Sequence, residues 1–181
     1  MLISGKVSGL TEGLHGFHVH EYGNIRGSCK STGGHFNPFN TDHGAHDAKV
    51  RHVGDFKQME ADADGVADYY YTDQQATLMD GKANIIGRGL VLHAGEDDLG
   101  LGGDAGSLAN GNAGARVACC VIGIDQAPAE DSTRKSRKSR EMQWGDKVDL
   151  GVTWSTKVRA MKEDIEGALK MRLGKLEPTY K

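Results

Sequence analysis

Gly16-Phe17-His18-Val19-His20 is the stretch whose reading decides the fold. Successive side chains of a strand point to opposite faces, so Phe17 and Val19 share one face while His18 and His20 share the other. One face is suited to an apolar core, and the other aims two imidazoles at one point. Downstream stand His35, His43 and His52, then Asp55 three residues after the last, and much later His93. Three imidazoles and one carboxylate form the donor set that closes a tetrahedral zinc site. His18, His20 and His93 remain over, an all-imidazole set that suits copper. By itself a His-x-His pair in a strand is ordinarily two polar surface residues. This pair is not isolated: seven of the eight histidines fall between His15 and His52. Scattered core or surface histidines do not concentrate in that way.

Four stretches carry the pattern, the first of them containing the opening one: Gly13-Leu14-His15-Gly16-Phe17-His18-Val19-His20-Glu21, Gly34-His35-Phe36-Asn37-Pro38, Arg51-His52-Val53-Gly54-Asp55 and Gly111-Asn112-Ala113-Gly114-Ala115-Arg116. Together they resemble the signatures of the copper/zinc superoxide dismutase family, from about Ile3 to Gln126. The resemblance implies an all-β fold, a Greek-key β-barrel or sandwich. It implies that His18, His20, His35 and His93 hold copper, and that His35, His43, His52 and Asp55 hold zinc, His35 serving both. It implies conversion of superoxide to dioxygen and hydrogen peroxide by copper cycling, with zinc structural and His35 handling a proton. Taken alone, Asp97 beside Asp98 is an ordinary loop acid; the resemblance makes it the carboxylate that links His18 and His43 through their outer N–H groups. Arg116 alone reads as a solvated loop charge, and the resemblance makes it the cation that docks the substrate anion. By count, Cys29, Cys119 and Cys120 are three buried thiols; the resemblance pairs Cys29 with Cys119 in a disulfide and leaves Cys120 spare.

Composition agrees with this reading without being able to produce it. Glycine supplies 26 of 181 residues and proline only 3, which fits short strands and turns rather than a helical bundle. Residues 1–126 hold 9 Lys/Arg against 16 Asp/Glu, net −7, whereas residues 127–181 hold 13 against 9, net +4. An acidic body does not suggest a nucleic-acid enzyme, and no stretch is apolar enough to span a membrane. Strands are expected at Ile3–Gly9, Gly16–Glu21, Gln58–Ala63, Ala67–Thr72, Gln75–Met79, Leu90–His93 and Ala115–Ile124. Asp64-Gly65 and Asp80-Gly81 read as turns. The long stretch from Gly27 to Asp55 shows no periodicity and reads as a functional loop.

Three parts are expected: a dismutase-like domain over 1–126, a basic linker over 127–153, and an extension over 154–181. In the extension Trp154, Val158, Met161, Ile165, Ala168 and Leu169 recur at helical spacing, predicting an amphipathic helix stopped by Gly174. The resemblance begins at the family's third strand, so the barrel reads as truncated at its amino end. That reading leaves an edge of Ala115–Ile124 open, to be covered by the tail or a partner, or left uncovered at a cost in stability. Family dimer contacts map onto Tyr22, Gly23, Ile86, Gly87, Cys119, Val121, Gly123 and Ile124, so the resemblance implies a homodimer if the barrel is complete, poor dimerisation if it is truncated, and loading by a copper chaperone. Met1 to Gly9 lacks a secretory pattern, which predicts a cytoplasmic protein, with an extracellular one as the alternative. The alternative function is a copper/zinc-binding protein without turnover, or an inactive product of a rearranged gene.

Overall fold

A computed structural model describes residues 1–124, 152–154 and 172–174. Among these residues, nine strands occur in chain order: β1 (Leu2–Ser8), β2 (Gly13–His15), β3 (Phe17–His20), β4 (Met59–Ala61), β5 (Val66–Thr72), β6 (Gly89–His93), β7 (Arg116–Ile122), β8 (Val152–Trp154) and β9 (Arg172–Gly174). A 3-10 turn at Cys29–Thr32 and one short helix, α1 (Ala105–Asn110), complete the set. All ladders are antiparallel, in the orders β5-β1-β9, β2-β4 and β3-β6-β7-β8. Neighbours such as β1 with β5 and β3 with β6 lie far apart in the chain, which is the crossing pattern of a Greek-key β-barrel.

The strands form where alternation dictates. In β5, Ala67, Tyr69 and Tyr71 are buried while Asp68, Tyr70 and Thr72 face water, the period of two of a half-buried strand. Phe17 anchors the core, its ring 5.1 Å from Tyr69 in an edge-on contact, and packs with Val19, Ile3, Met59, Leu92 and Ile122. The β4–β5 turn is closed by Gly65 in the left-handed region, φ 71°, with its N–H donating to Asp62. Here Asp64-Gly65 is the turn that composition predicts.

Several expectations differ from the structure. Gly13–His15, outside the expected strands, pairs with β4 as a strand. Gln75–Met79 is not a strand: the Asp73 carboxylate accepts from the Gln75 and Ala76 N–H groups at 2.8 and 2.6 Å, bending the chain directly after β5. Helix α1 was not expected, and it is capped by Asp104, whose side chain accepts from the Ser107 N–H. The helix predicted beyond Trp154 lies outside the described residues, but Trp154 itself closes β8 and Gly174 closes β9. The edges of β7 and β1 turned away from β6 and β5 are paired, with β8 and β9 respectively.

Candidate metal centre

Strand β3 places His18 and His20 on the face opposite Phe17 and Val19, and all four are buried. Phe17 and Val19 enter the core, while the two imidazoles are roofed by the long segment between the 3-10 turn and Asp55. That roof is fastened by backbone bonds, from Phe36 N–H to Val19 and from Val19 N–H to Gly54, at 2.8 and 2.9 Å. His93 ends β6, the neighbour of β3.

Two donor groups result, His18, His20, His35 and His93 in one and His35, His43, His52 and Asp55 in the other, each with its ligand atoms within 4.8 Å of one another. The ring nitrogens have divided duties. His20 Nδ1 donates to the Gly33 carbonyl at 2.9 Å and His93 Nδ1 to that of Gly114 at 3.1 Å, leaving each Nε2 for the first group. His18 Nε2 and His43 Nε2 donate to the two oxygens of Asp97, at 2.7 and 2.8 Å, leaving each Nδ1 inward. His35 Nδ1 and His52 Nδ1 stand 2.9 and 3.1 Å from Asp55 Oδ1. Asp55 Oδ2 is held by the N–H groups of His52 and Gly44, which frees Oδ1 for the second group.

His18 Nδ1, His35 Nε2 and His43 Nδ1 are buried without any hydrogen-bond partner. His43 Nδ1 lies 3.0 Å from Asp55 Oδ1, but not in line for a hydrogen bond. Buried polar atoms ordinarily find partners, so three orphaned nitrogens around two foci are what a pair of cations would resolve. The donor chemistry fits: four imidazoles for copper, three imidazoles and a carboxylate for zinc.

Electrostatics keep most of these rings neutral. Burial, helped by neighbouring imidazoles, pushes His20 down to about 2, His35 to about 3 and His93 to about 4, and burial also lowers His18. For His43 burial is outweighed by the two carboxylates beside its ring, Asp97 hydrogen-bonded to Nε2 and Asp55 close to Nδ1, and its pKa rises to about 9. Burial would raise Asp55 and Asp97, yet hydrogen bonds from the histidines hold both below the usual carboxylate range.

Arg116, half-buried at the start of β7, donates from Nη1 to the Cys29 and Lys30 carbonyls at 2.9 and 3.3 Å and to Thr32 Oγ1 at 3.1 Å. Its charge is among the influences that lower His20 and His93, so the guanidinium is a cation beside the first group. The Cys29–Cys119 disulfide ties the same 3-10 turn to β7, and Cys120 is free and buried. Between Asp98 and Arg116 the sole charged residue is Asp104, which caps α1. Asp98 accepts from Ser107 Oγ at 2.7 Å and from Asn112 Nδ2 at 2.8 Å, so both acids shape the loop.

Three residues of this centre escape a reading of motifs. Gln58 clamps the backbone of Asp97 in both directions, at 2.7 and 2.9 Å. Gly111, at φ 67°, leaves room that a Cβ would take from Asp97 Oδ1 and His43 Nε2. His15 reaches the His93 and Thr11 carbonyls at 2.9 Å each. Gly111 and His15 stand inside the motif stretches Gly111–Arg116 and Gly13–Glu21, without a role assigned there, and Gln58 has no signal.

A family model described as copper/zinc superoxide dismutase matches residues 1–122. The extracellular superoxide dismutase (Cu-Zn) of Drosophila melanogaster is 55% identical over 119 residues, 66% of this chain and 65% of that protein. A superoxide dismutase (Cu-Zn) of Onchocerca volvulus is 51% identical over 128 residues, covering 69% and 80%. That of Paramecium bursaria Chlorella virus 1 is 54% identical over 122 residues, covering 67% and 65%. The chain thus spans about two thirds of the length of two of these relatives.

Proposed function

Because the chain belongs to the copper/zinc superoxide dismutase family, we propose that it converts two superoxide ions and two protons into one dioxygen and one hydrogen peroxide. The observation that carries this reading is His35, whose two ring nitrogens face two different donor groups. Copper would be held by His18, His20, His35 and His93, and zinc by His35, His43, His52 and Asp55. When bound, copper supplies the one-electron chemistry by alternating between copper(II) and copper(I), while zinc supplies fixed charge without redox.

The chain's own residues do the rest. Arg116 offers a permanent cation, oriented by three acceptors on the 3-10 turn, that attracts a small anion. His35 Nε2, unpartnered within the protein, is the atom that holds a proton and passes it to the nascent peroxide. Asp97 fixes the orientation of His18 and His43 at once.

Metal analysis after loading with both ions, coupled to a dismutation assay, tests the proposal. One copper and one zinc per chain with Arg116→Ala losing far more activity than copper is the expected result. Random stoichiometry, unchanged by His20→Ala and His52→Ala, would refute it. Rates are expected to fall with salt, because steering is screened over ~10 Å at 0.1 M.

Partners follow from the family. A homodimer is supported by the exposed Tyr22 and Ile124, which flank Gly23, Ile86, Gly87 and Val121; sedimentation tests it. Loading by a copper chaperone is part of the same reading. We assign the protein to the cytoplasm, with an extracellular location as the alternative that the name of the Drosophila relative supports. No helix among the described residues is long and apolar enough to cross a membrane. The division into a domain over 1–126, a linker over 127–153 and an extension over 154–181 is likewise proposed.

A further inference from the structure

Two strands of the carboxyl-terminal segment stand at the outer ends of two different sheets. β8 lies beside β7, with Cys120 opposite Trp154, Val121 opposite Thr153 and Ile122 opposite Val152. β9 lies beside β1, with Leu2 opposite Gly174, Ile3 opposite Leu173 and Ser4 opposite Arg172. We infer that β8 and β9 act as an intramolecular clasp, closing the barrel by occupying the edges of β7 and β1.

Backbone alternation says which groups this clasp satisfies. Ile122 donates its N–H to Arg88 and accepts from the Gly87 N–H, so both of its groups are turned toward β6. In an antiparallel ladder adjacent residues face opposite edges, which turns the N–H and C=O of Val121 toward Thr153. On β1, Met1 exchanges bonds with Asp73 on the β5 side. Leu2 and Ser4, one residue and three residues on, therefore face Gly174 and Arg172.

These edges border the core rather than open water. Ile3, Cys120 and Ile122 are buried, and an unpaired backbone group next to such residues loses water without gaining a partner. An open edge is also a template for another chain. One short segment meets both needs, because only residues 155–171 separate the two strands in sequence. The occupant is therefore the chain's own tail, and Val152-Thr153-Trp154 is rich in the residue types that strands favour.

The clasp bears on the metal centre through β7. That strand begins with Arg116 and carries Cys119 of the disulfide, so its far edge is held by β8 while its near edge is held by β6. The inference concerns backbone pairing and stands whether or not the protein turns over superoxide.

Cys120 supplies the test, since it is the one free thiol of the chain and faces position 154. The pair does not exchange ladder bonds, and such pairs have Cα atoms ~4.5 Å apart, within the range a disulfide spans. In full-length protein carrying Trp154→Cys, refolding in an oxidising thiol–disulfide buffer, before burial makes the Cys120 thiolate scarce, is expected to link Cys120 to the introduced thiol within one chain, seen by peptide mapping of the monomer. Amide exchange of the unsubstituted protein is the second measurement: Val121, Leu2 and Ser4 are expected to be protected. Thr153→Pro is expected to speed exchange at Val121 about tenfold, the loss of one net hydrogen bond, while Ile122 stays protected. An unreacted thiol at position 154, a link formed only between two chains, or free exchange at Val121 in the unsubstituted protein would overturn the inference.

Discussion

Asp97 and Gly111 work as a pair at the scale of single residues. Asp97 accepts from His18 and His43 with one oxygen each, so it aligns one ligand of each donor group, and Gly111 supplies the space in which it does so. Asp97→Asn retains the shape but replaces one acceptor by a donor facing a histidine N–H. Metal affinity is expected to fall about 10- to 100-fold, measured by competition with a chelator, while the fold persists. Gly111→Ala adds strain at φ 67° to a collision with the Asp97 carboxylate and is expected to cost about 1–3 kcal/mol. Thermal denaturation of the metal-free protein separates this cost from lost metal; an unchanged melting temperature would contradict the packing argument.

At the scale of elements, the 3-10 turn and β7 form one unit. The disulfide joins Cys29 of the turn to Cys119 of the strand across a sequence separation of 90 residues, and Arg116 donates to three acceptors of the same turn. Closing so long a loop restricts the unfolded chain by about 4–5 kcal/mol in the chain-entropy model. Reduction is therefore expected to lower the melting temperature. It is also expected to release the turn that orients Arg116, so that activity falls in protein that remains folded by circular dichroism. Full activity in the reduced, folded protein would separate Arg116 from its anchor. Because Cys120 is buried and burial pushes its thiol pKa up, its thiolate is scarce, and exchange with the disulfide is expected only on unfolding.

For the whole molecule, the buried histidines make stability depend on pH and on metal. In the metal-free protein His20, His35 and His93 titrate at about 2, 3 and 4, whereas unfolded histidines titrate near 6.5. Between those limits the unfolded chain binds protons that the folded one does not. Each such histidine removes about 1.4 kcal/mol of stability per unit fall in pH below 6.5. His43, raised to about 9, acts oppositely: its contribution is complete below 6.5 and is lost as the pH climbs through 9. Urea midpoints of chelated protein are expected to peak near neutrality; a flat profile from pH 4 to 6.5 would contradict the neutral rings. Removing the residues after Gln126 takes β8 and β9 from two edges and is expected to lower the melting temperature by roughly 10 °C, a few hydrogen bonds at ~1 kcal/mol each.

Alternation and donor chemistry make much of this protein legible in its sequence. Phe17 and Val19 against His18 and His20 announced a strand with an apolar face and a histidine face, because a two-residue period puts the pairs on opposite sides. The histidines with Asp55 announced two donor groups, because metal preferences restrict which residue types cluster. Asp64-Gly65 announced a turn for the same local reason. Long-range placement was not legible. The sequence around Gln75–Met79 alternates like a strand, but the Asp73 carboxylate captures its first N–H groups and bends it away. Gln58 carries no signal of its own, since its role exists only where β4 passes Asp97. Trp154 reads as the start of a helical period and Gly174 as its stop, and each nevertheless ends a strand, because the unpaired edges of β7 and β1 offer hydrogen bonds that local periodicity cannot register. Sequence determined the elements and the donors; the tertiary structure decided which edges and which second partners those elements met, since pairing energy is set by neighbours distant in the chain.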